Sequence, residues 1–120
     1  LFSPGDVVVV DFPGVTGVKR RPAVVLSSAL YHAHRPDIVV GLITSQTAAA
    51  LAPTDYALQD GAEAGLRLPS AFRSFLATLP PAANPVLAGR LSERDWREVQ
   101  TRLALALTVP AANVSSGQSR

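Results

Sequence analysis

The residues Pro4–Leu26, PGDVVVVDFPGVTGVKRRPAVVL, hold two apolar runs separated by an interval rich in glycine and cations. Val7 to Val10 with Phe12 make a β-branched run, entered through Pro4-Gly5-Asp6 and closed by Pro13-Gly14, which is how a short buried strand is punctuated. Pro13 to Arg20 carries two glycines and reads as an exposed loop. Pro22 cannot donate to a ladder, so the second strand is expected over Ala23–Leu26. Lys19, Arg20 and Arg21 then stand at the loop's exit.

The pattern continues in short pieces. Asp37–Thr44, DIVVGLIT, predicts a third strand, and Tyr56–Leu58 and Arg67–Leu79 predict further ones, separated by an Asp60-Gly61 turn and the small residues Ala62 to Gly65. Thr47–Pro53, TAAALAP, reads as loop. Pro80, Pro81, Asn84 and Pro85 break the chain. Ser92-Glu93-Arg94-Asp95 then predicts a helix start, with Ser92 as N-cap and Asp95 closing a capping-box pattern. Trp96, Val99, Leu103 and Leu107 recur at helical spacing as the face toward the core, with Arg94, Arg97 and Glu98 outward and Pro110 as the stop. Short strands with no helices between them predict an antiparallel small barrel, mainly β with one C-terminal amphipathic helix, an α+β chain. Residues 1–109 form the expected single domain, and residues 110–120, with polar Asn113–Arg120, a disordered tail.

Composition narrows the function. The chain has 120 residues, 48% hydrophobic and only 17% charged, with a formal net charge of +2. That apolar surplus favours a partner surface. Ten of the eleven cations are arginine, whose planar fork suits phosphate or carboxylate. The small net charge argues against a broad duplex-DNA face and for a local anionic contact. With no cysteine there is neither disulfide nor thiolate metal site. Leu1–Asp6 has no basic start or long apolar stretch, and no apolar run reaches the length of a membrane span, so a cytoplasmic protein without membrane contact is expected.

Two constellations carry chemistry. Arg20 and Arg21 beside a glycine-containing loop suit the grip of one phosphodiester, although a cation cluster also guards a strand edge against pairing. Thr44-Ser45-Gln46, at the end of an apolar strand, supplies two hydroxyls and an amide, although a strand leaving a core does the same. His32 and His34 would share a strand face, with Asp37 the only acid nearby. Two imidazoles fall short of a metal site, so no metal or other cofactor is expected, and either histidine suits acid or base work. Nucleophile elbow, P-loop and dinucleotide fingerprint are all missing.

In order, PGDVVVVDFP, a short glycine-containing loop, KRRPAVVLS, IVVGLITSQ, GLRLPSAFR and GRLSERDWREV resemble the MazF/PemK family of toxins from bacterial toxin–antitoxin systems, from about Ser3 to Leu107. The resemblance implies an SH3-like barrel with a terminal helix, a homodimer, and a metal-independent endoribonuclease that cuts single-stranded RNA at short sequences and is neutralised by a cognate antitoxin. It carries catalysis onto Arg21 and Thr44. RNA binding falls to Lys19, Arg20, Ser45, Gln46, Ser70 and Arg73, and the candidates for proton transfer are Asp11, His32 and His34. Some members carry an acid two residues beyond the arginine matching Arg73, where this chain has Ser74 and Phe75. The loop Gly14–Lys19 is short for the family, which implies a looser sequence demand. Two alternatives remain on the same fold: a CcdB-like toxin that binds gyrase through the terminal helix and Trp96, and a catalytically dead dimer that only binds antitoxin.

Overall fold

A computed structural model describes residues 1–47 and 51–108 of the chain. Within them, β1 (Asp6–Gly14), β2 (Gly17–Val25), β3 (Ile38–Thr44), β4 (Tyr56–Ala57), β5 (Ala71–Leu79) and β6 (Val86–Arg90) form one sheet in the order β4-β5-β3-β2-β1-β6. Every neighbouring pair is antiparallel, and the sheet curls into a half-barrel. The helix α1 (Ala29–His34) joins β2 to β3, and α2 (Glu93–Ala106) follows β6. Single 3₁₀ turns occupy Gly61–Ala64 and Pro81–Ala83. The expected mainly β architecture with a C-terminal helix is the one observed.

The uninterrupted valines follow from burial on both faces of the sheet. On one face Val8, Val10 and Phe12 pack with Ala23, Val25, Val40 and Leu79. On the other, Val7 and Val24 pack with Ile43, Phe72 and Val99 of α2. A strand covered on both sides has no polar alternation to show. Val9, the half-exposed member of the run, faces an open cleft.

Four expectations need correction. The second strand begins at Gly17, not Ala23, so the expected loop is a hairpin whose turn is Val15-Thr16, and the three cations lie on a strand. Pro22 is tolerated because pairing with β3 starts only at Ala23, leaving no bond to β3 at that point for proline to remove. A helix does interrupt the strands: Ser28 caps α1 by accepting the Tyr31 N–H, so His32 and His34 belong to a helix. Finally, Val86–Arg90 after the proline break is a strand. As an edge strand with its large apolar residues Val86 and Leu87 half-exposed, it has no buried face to impose alternation. The strand expected over Arg67–Leu79 starts at Ala71, after Ser70 Oγ donates to the Leu68 carbonyl at 2.7 Å.

At the C-terminus, Ser92 accepts the Asp95 N–H as expected for the cap, and α2 ends at Ala106 with its last N–H bond from Leu107 to Leu103. Pro110 and the polar tail Asn113–Arg120 lie outside the described residues, as do 48–50 of the stretch read as loop between Thr47 and Pro53. Trp96 is partly buried, near enough to Gly5 that a Cβ there would meet its ring at 3.4 Å. Among the described residues no helix is long and apolar enough to cross a membrane.

Two glycines fix the segment that follows the first 3₁₀ turn. Gly65 has φ +85°, and a Cβ on it would lie 2.3 Å from the Ala88 carbonyl oxygen. A Cβ on Gly89 would lie 2.4 Å from the Ala64 carbonyl oxygen, backbone against backbone. Nothing flexible can yield there. Gly89→Ala is therefore expected to push the turn off β6 and to destabilise the fold by about 1–3 kcal/mol, the usual cost of overpacking. A urea midpoint unchanged by Gly89→Ala would show that this contact is slack.

Candidate functional site

The end of the β2–β3 ladder builds the site. The last pair is Ala23 with Leu42; Arg21 lies two residues beyond on one strand and Thr44 two beyond on the other, so both arrive at one mouth. Thr44 also pairs with Ala71 of β5, which brings Ser70 alongside. These residues line an open cleft of about 680 Å³, together with Arg20, Ser45, Gln46, Val9 and Pro22. Its opposite wall is Gly65–Leu68, the segment set by the glycine contacts against β6.

The polar groups are arranged for an anion. Thr44 is buried at 8% exposure, and its Oγ1 accepts the Gln46 N–H at 3.1 Å, which leaves the hydroxyl proton available to donate. Arg21 is half-buried and makes no ion pair among the described residues. Three arginines, Arg20, Arg21 and Arg67, belong to the lining and no acidic residue does, although the Arg20 guanidinium is engaged by Asp11 and the Ala83 and Asn84 carbonyls. A cleft with donors and no acid in its lining favours a phosphodiester. Arg67 escaped the sequence analysis; its one signal was a cation set between Leu66 and Leu68.

Of the residues singled out from sequence, the structure brings together Arg20, Arg21, Thr44, Ser45, Gln46 and Ser70. Lys19 is exposed one step farther out on β2, opposite Phe12. Arg73 pairs with the buried Asp55 at 3.6 Å in a separate depression. Phe75, two residues beyond Arg73 where some family members carry an acid, packs at a tilt against Phe12 with ring centroids 5.7 Å apart.

The three proton-transfer candidates are all engaged outside the cleft lining. Asp11 accepts from Arg20 at 3.1 Å. His32 is held between the Ser27 hydroxyl, 2.6 Å from Nε2, and the Phe2 carbonyl, 3.1 Å from Nδ1. It lines a different pocket, with Phe2, Arg35 and Leu79. His34 contacts the Leu30 carbonyl through Nδ1. The expected common face for the two histidines fails because helical residues two apart point about 200° apart. Among the described residues no three His, Asp or Glu side chains converge.

Behind the cleft wall lies a polar network the sequence did not reveal. Asp95, fully buried at the start of α2, accepts from the Tyr56 hydroxyl at 2.7 Å, the Gln59 N–H at 3.0 Å and the Asp60 N–H at 2.8 Å. Burial, and after it the bond to Asp95, raises the Tyr56 phenol above its ordinary range, so it stays a donor. Asp60 in turn accepts two bonds from Arg94, at 2.7 and 2.8 Å, and one from Ser92 at 2.6 Å. Those of Arg94 first, then that of Ser92, hold its carboxyl at about 2.

A carboxyl depressed on folding stabilises the fold above its unfolded value and loses that contribution as pH falls through its folded one. The urea midpoint of Arg94→Ala is therefore expected below wild type at pH 6. The gap should close between about pH 4, the unfolded carboxyl's range, and pH 2. A gap independent of pH would assign the loss to packing instead.

Comparison with known proteins agrees with this architecture. MazF from Deinococcus radiodurans matches with a TM-score of 0.73 at 22% identity, over 91% of this chain and 98% of that one. An endoribonuclease from a mycobacterial species gives 0.70 at 20% identity, covering 91% and 93%. A mycobacterial endoribonuclease in complex with its cognate antitoxin gives 0.70 at 21% identity, covering 92% and 98%. No curated protein matches the sequence significantly. The model of the PemK-like, MazF-like toxins of type II toxin–antitoxin systems matches residues 3–107, nearly the whole of the described chain, and the protein belongs to that family.

Proposed function

We propose that the protein is an endoribonuclease that cleaves single-stranded RNA in the cleft between β2, β3 and the Gly65–Leu68 wall, without a metal ion. The observation that carries this reading is the convergence of Arg21, Thr44 and Ser70 from three strand ends on one cleft lined by three arginines and no acid. RNA supplies its own nucleophile. The 2′-oxygen attacks the adjacent phosphorus, a P–O2′ bond forms and the P–O5′ bond breaks. The 2′-hydroxyl gives up its proton and the departing 5′-oxygen gains one, leaving a cyclic phosphate and a free 5′-hydroxyl.

Arg21 stabilises the charge that builds on the phosphoryl oxygens, and Thr44 donates its hydroxyl proton to one of them. Arg21 acts as a fixed charge and a planar donor, not as the acid. The ionisable lining residues are arginines, and proton exchange with water completes the balance. Ser45, Gln46, Ser70 and Arg67 bind flanking nucleotides. A cognate antitoxin covers the same cleft, and the chain works as a homodimer in the cytoplasm.

The test is incubation of purified protein with a long single-stranded RNA in EDTA, with cut ends read by primer extension. Discrete EDTA-resistant cuts that end in cyclic phosphate are expected. Intact RNA, or cutting that EDTA abolishes, would overturn the proposal. The first outcome would favour a module that only binds antitoxin. Gyrase inhibition that survives Arg21→Ala would favour a gyrase-binding toxin.

A further inference from the structure

The root of the β1–β2 hairpin is held by neighbours and its outer part is not. β1 pairs with β6 only from Asp6 to Val9, and β2 pairs with β3 only from Ala23 to Val25. Beyond those points, from Val10 out to the turn and back to Pro22, the hairpin is a two-stranded ribbon with no strand on either edge among the described residues. Isolated ribbons of this kind twist and are marginally stable. Arg21, opposite Val10, lies on the ribbon one step past Pro22, so the position of its guanidinium depends on how the ribbon is tied down.

Val10 itself is buried in the core, and beyond it two ties are present among the described residues. Phe12 is buried at 1% exposure and packs at a tilt against Phe75 of β5. The second is Arg20, directly opposite Asp11 in the register. Its Nη1 donates to Asp11 Oδ1 at 3.1 Å and to the Ala83 carbonyl at 3.3 Å, and its Nη2 donates to the Asn84 carbonyl at 2.7 Å. Asn84 ends the Pro81–Ala83 turn in the left-handed region, with φ 56°, which is how such a turn presents its last carbonyls. One guanidinium thus joins both strands of the ribbon to a turn in the body of the protein.

We infer that Arg20 is a positioning residue and not an RNA ligand: with Asp11, Ala83 and Asn84 it forms a clamp that holds the ribbon and, through it, Arg21 in the cleft. This rests on the proposed ribonuclease activity for its functional consequence, but not for its structural one. Asp11 then serves as the clamp's acceptor, and its place in the sequence as a candidate base is explained by the pairing. Arginine is required because a lysine ammonium is a point charge that cannot span a carboxylate and two carbonyls in one plane.

Amide hydrogen exchange and single-turnover cleavage of a long single-stranded RNA, each on wild type, Arg20→Ala, Arg20→Lys and Arg20→Ala/Asp11→Ala, test the clamp. Faster exchange over Val10–Arg21 in Arg20→Ala, with Val40 and Leu42 of β3 unchanged, is the expected result and needs no cleavage to be seen. In cleavage, Arg20→Ala is expected to lower the saturated rate about ten-fold, with the logarithmic salt dependence of RNA binding unchanged. Losing a phosphate contact would instead reduce that slope by about 0.7. Lysine is expected to recover little, and the double variant to be no worse than Arg20→Ala.

Unchanged exchange, or a reduced salt slope with full recovery by lysine, would overturn the clamp and restore Arg20 as a ligand. Wild-type protein that leaves RNA intact while Arg20→Ala still loosens the ribbon would overturn the ribonuclease proposal and leave the clamp standing.

Discussion

Replacing Arg21 with alanine is expected to lower the single-turnover rate of RNA cleavage about 10²–10³-fold, the usual effect of deleting one preorganised donor to a developing oxyanion. The reasoning is electrostatic. The transition state concentrates charge on the phosphoryl oxygens, and Arg21 already stands in the cleft, half-buried and without an ion pair among the described residues. Its field costs no reorganisation when the reaction occurs. Thr44→Ala removes a neutral donor and is expected to cost less, about ten-fold, matching roughly 1–1.5 kcal/mol for one hydrogen bond.

The same lack of bonds makes Arg21 a clean probe. Its side chain makes no hydrogen bond among the described residues, so the thermal midpoint should stay at the wild-type value while activity falls. An Arg21→Ala protein that cuts as fast as wild type would remove this residue from the chemistry. One that unfolds would show instead that β2 depends on it. Arg21→Lys separates charge from geometry, since a lysine keeps the first and loses the planar fork.

Asp95→Ala is expected to have the largest effect on stability. The substitution strands three donors, the Tyr56 hydroxyl and the Gln59 and Asp60 N–H groups, at a fully buried position. Breaking a buried charged network in this way costs about 3–5 kcal/mol. For a domain of this size that lowers the thermal midpoint on the order of 10–20 °C. Asp95→Asn keeps one acceptor oxygen and should lie between alanine and wild type. Thermal midpoints for the three proteins decide the matter, and an Asp95→Ala protein as stable as wild type would show that water replaces the carboxyl.

The two predictions concern residues of different legibility. Arg21 was visible because a cation before a proline at a strand's start is a local pattern, and the resemblance to a toxin family gave it a role. Asp95 was visible only as the end of a capping box, a surface function. Its burial depends on Tyr56, Gln59 and Asp60, more than thirty residues earlier. No local pattern contains that information.

The hairpin shows the same division. The valine runs marked β1 and the inner half of β2 correctly because apolar burial is a local property of the chain. The extension of β2 back to Gly17 depends on β1 as partner, and polar residues such as Lys19 and Arg20 join a strand when a ladder is offered to them. The edge strand β6 went unseen for a related reason, since pairing on one side asks little of side chains. The helix α1 was missed although Ser28 is a competent cap, because six residues give too short a period to detect.

The amino-acid sequence alone determined the class of the fold, the C-terminal helix with its cap, and the two polar segments that meet in the cleft. Each is set by residues near one another in the chain, through burial pattern, turn chemistry and capping. Only the tertiary structure decided that Arg67 completes the cleft and that Asp11 binds Arg20. It also decided that His32 is held by the Phe2 carbonyl and that Asp95 anchors the Gln59-Asp60 loop. Those assignments rest on side chains from distant segments competing for the same partners, and such competition is resolved only when the strands have paired.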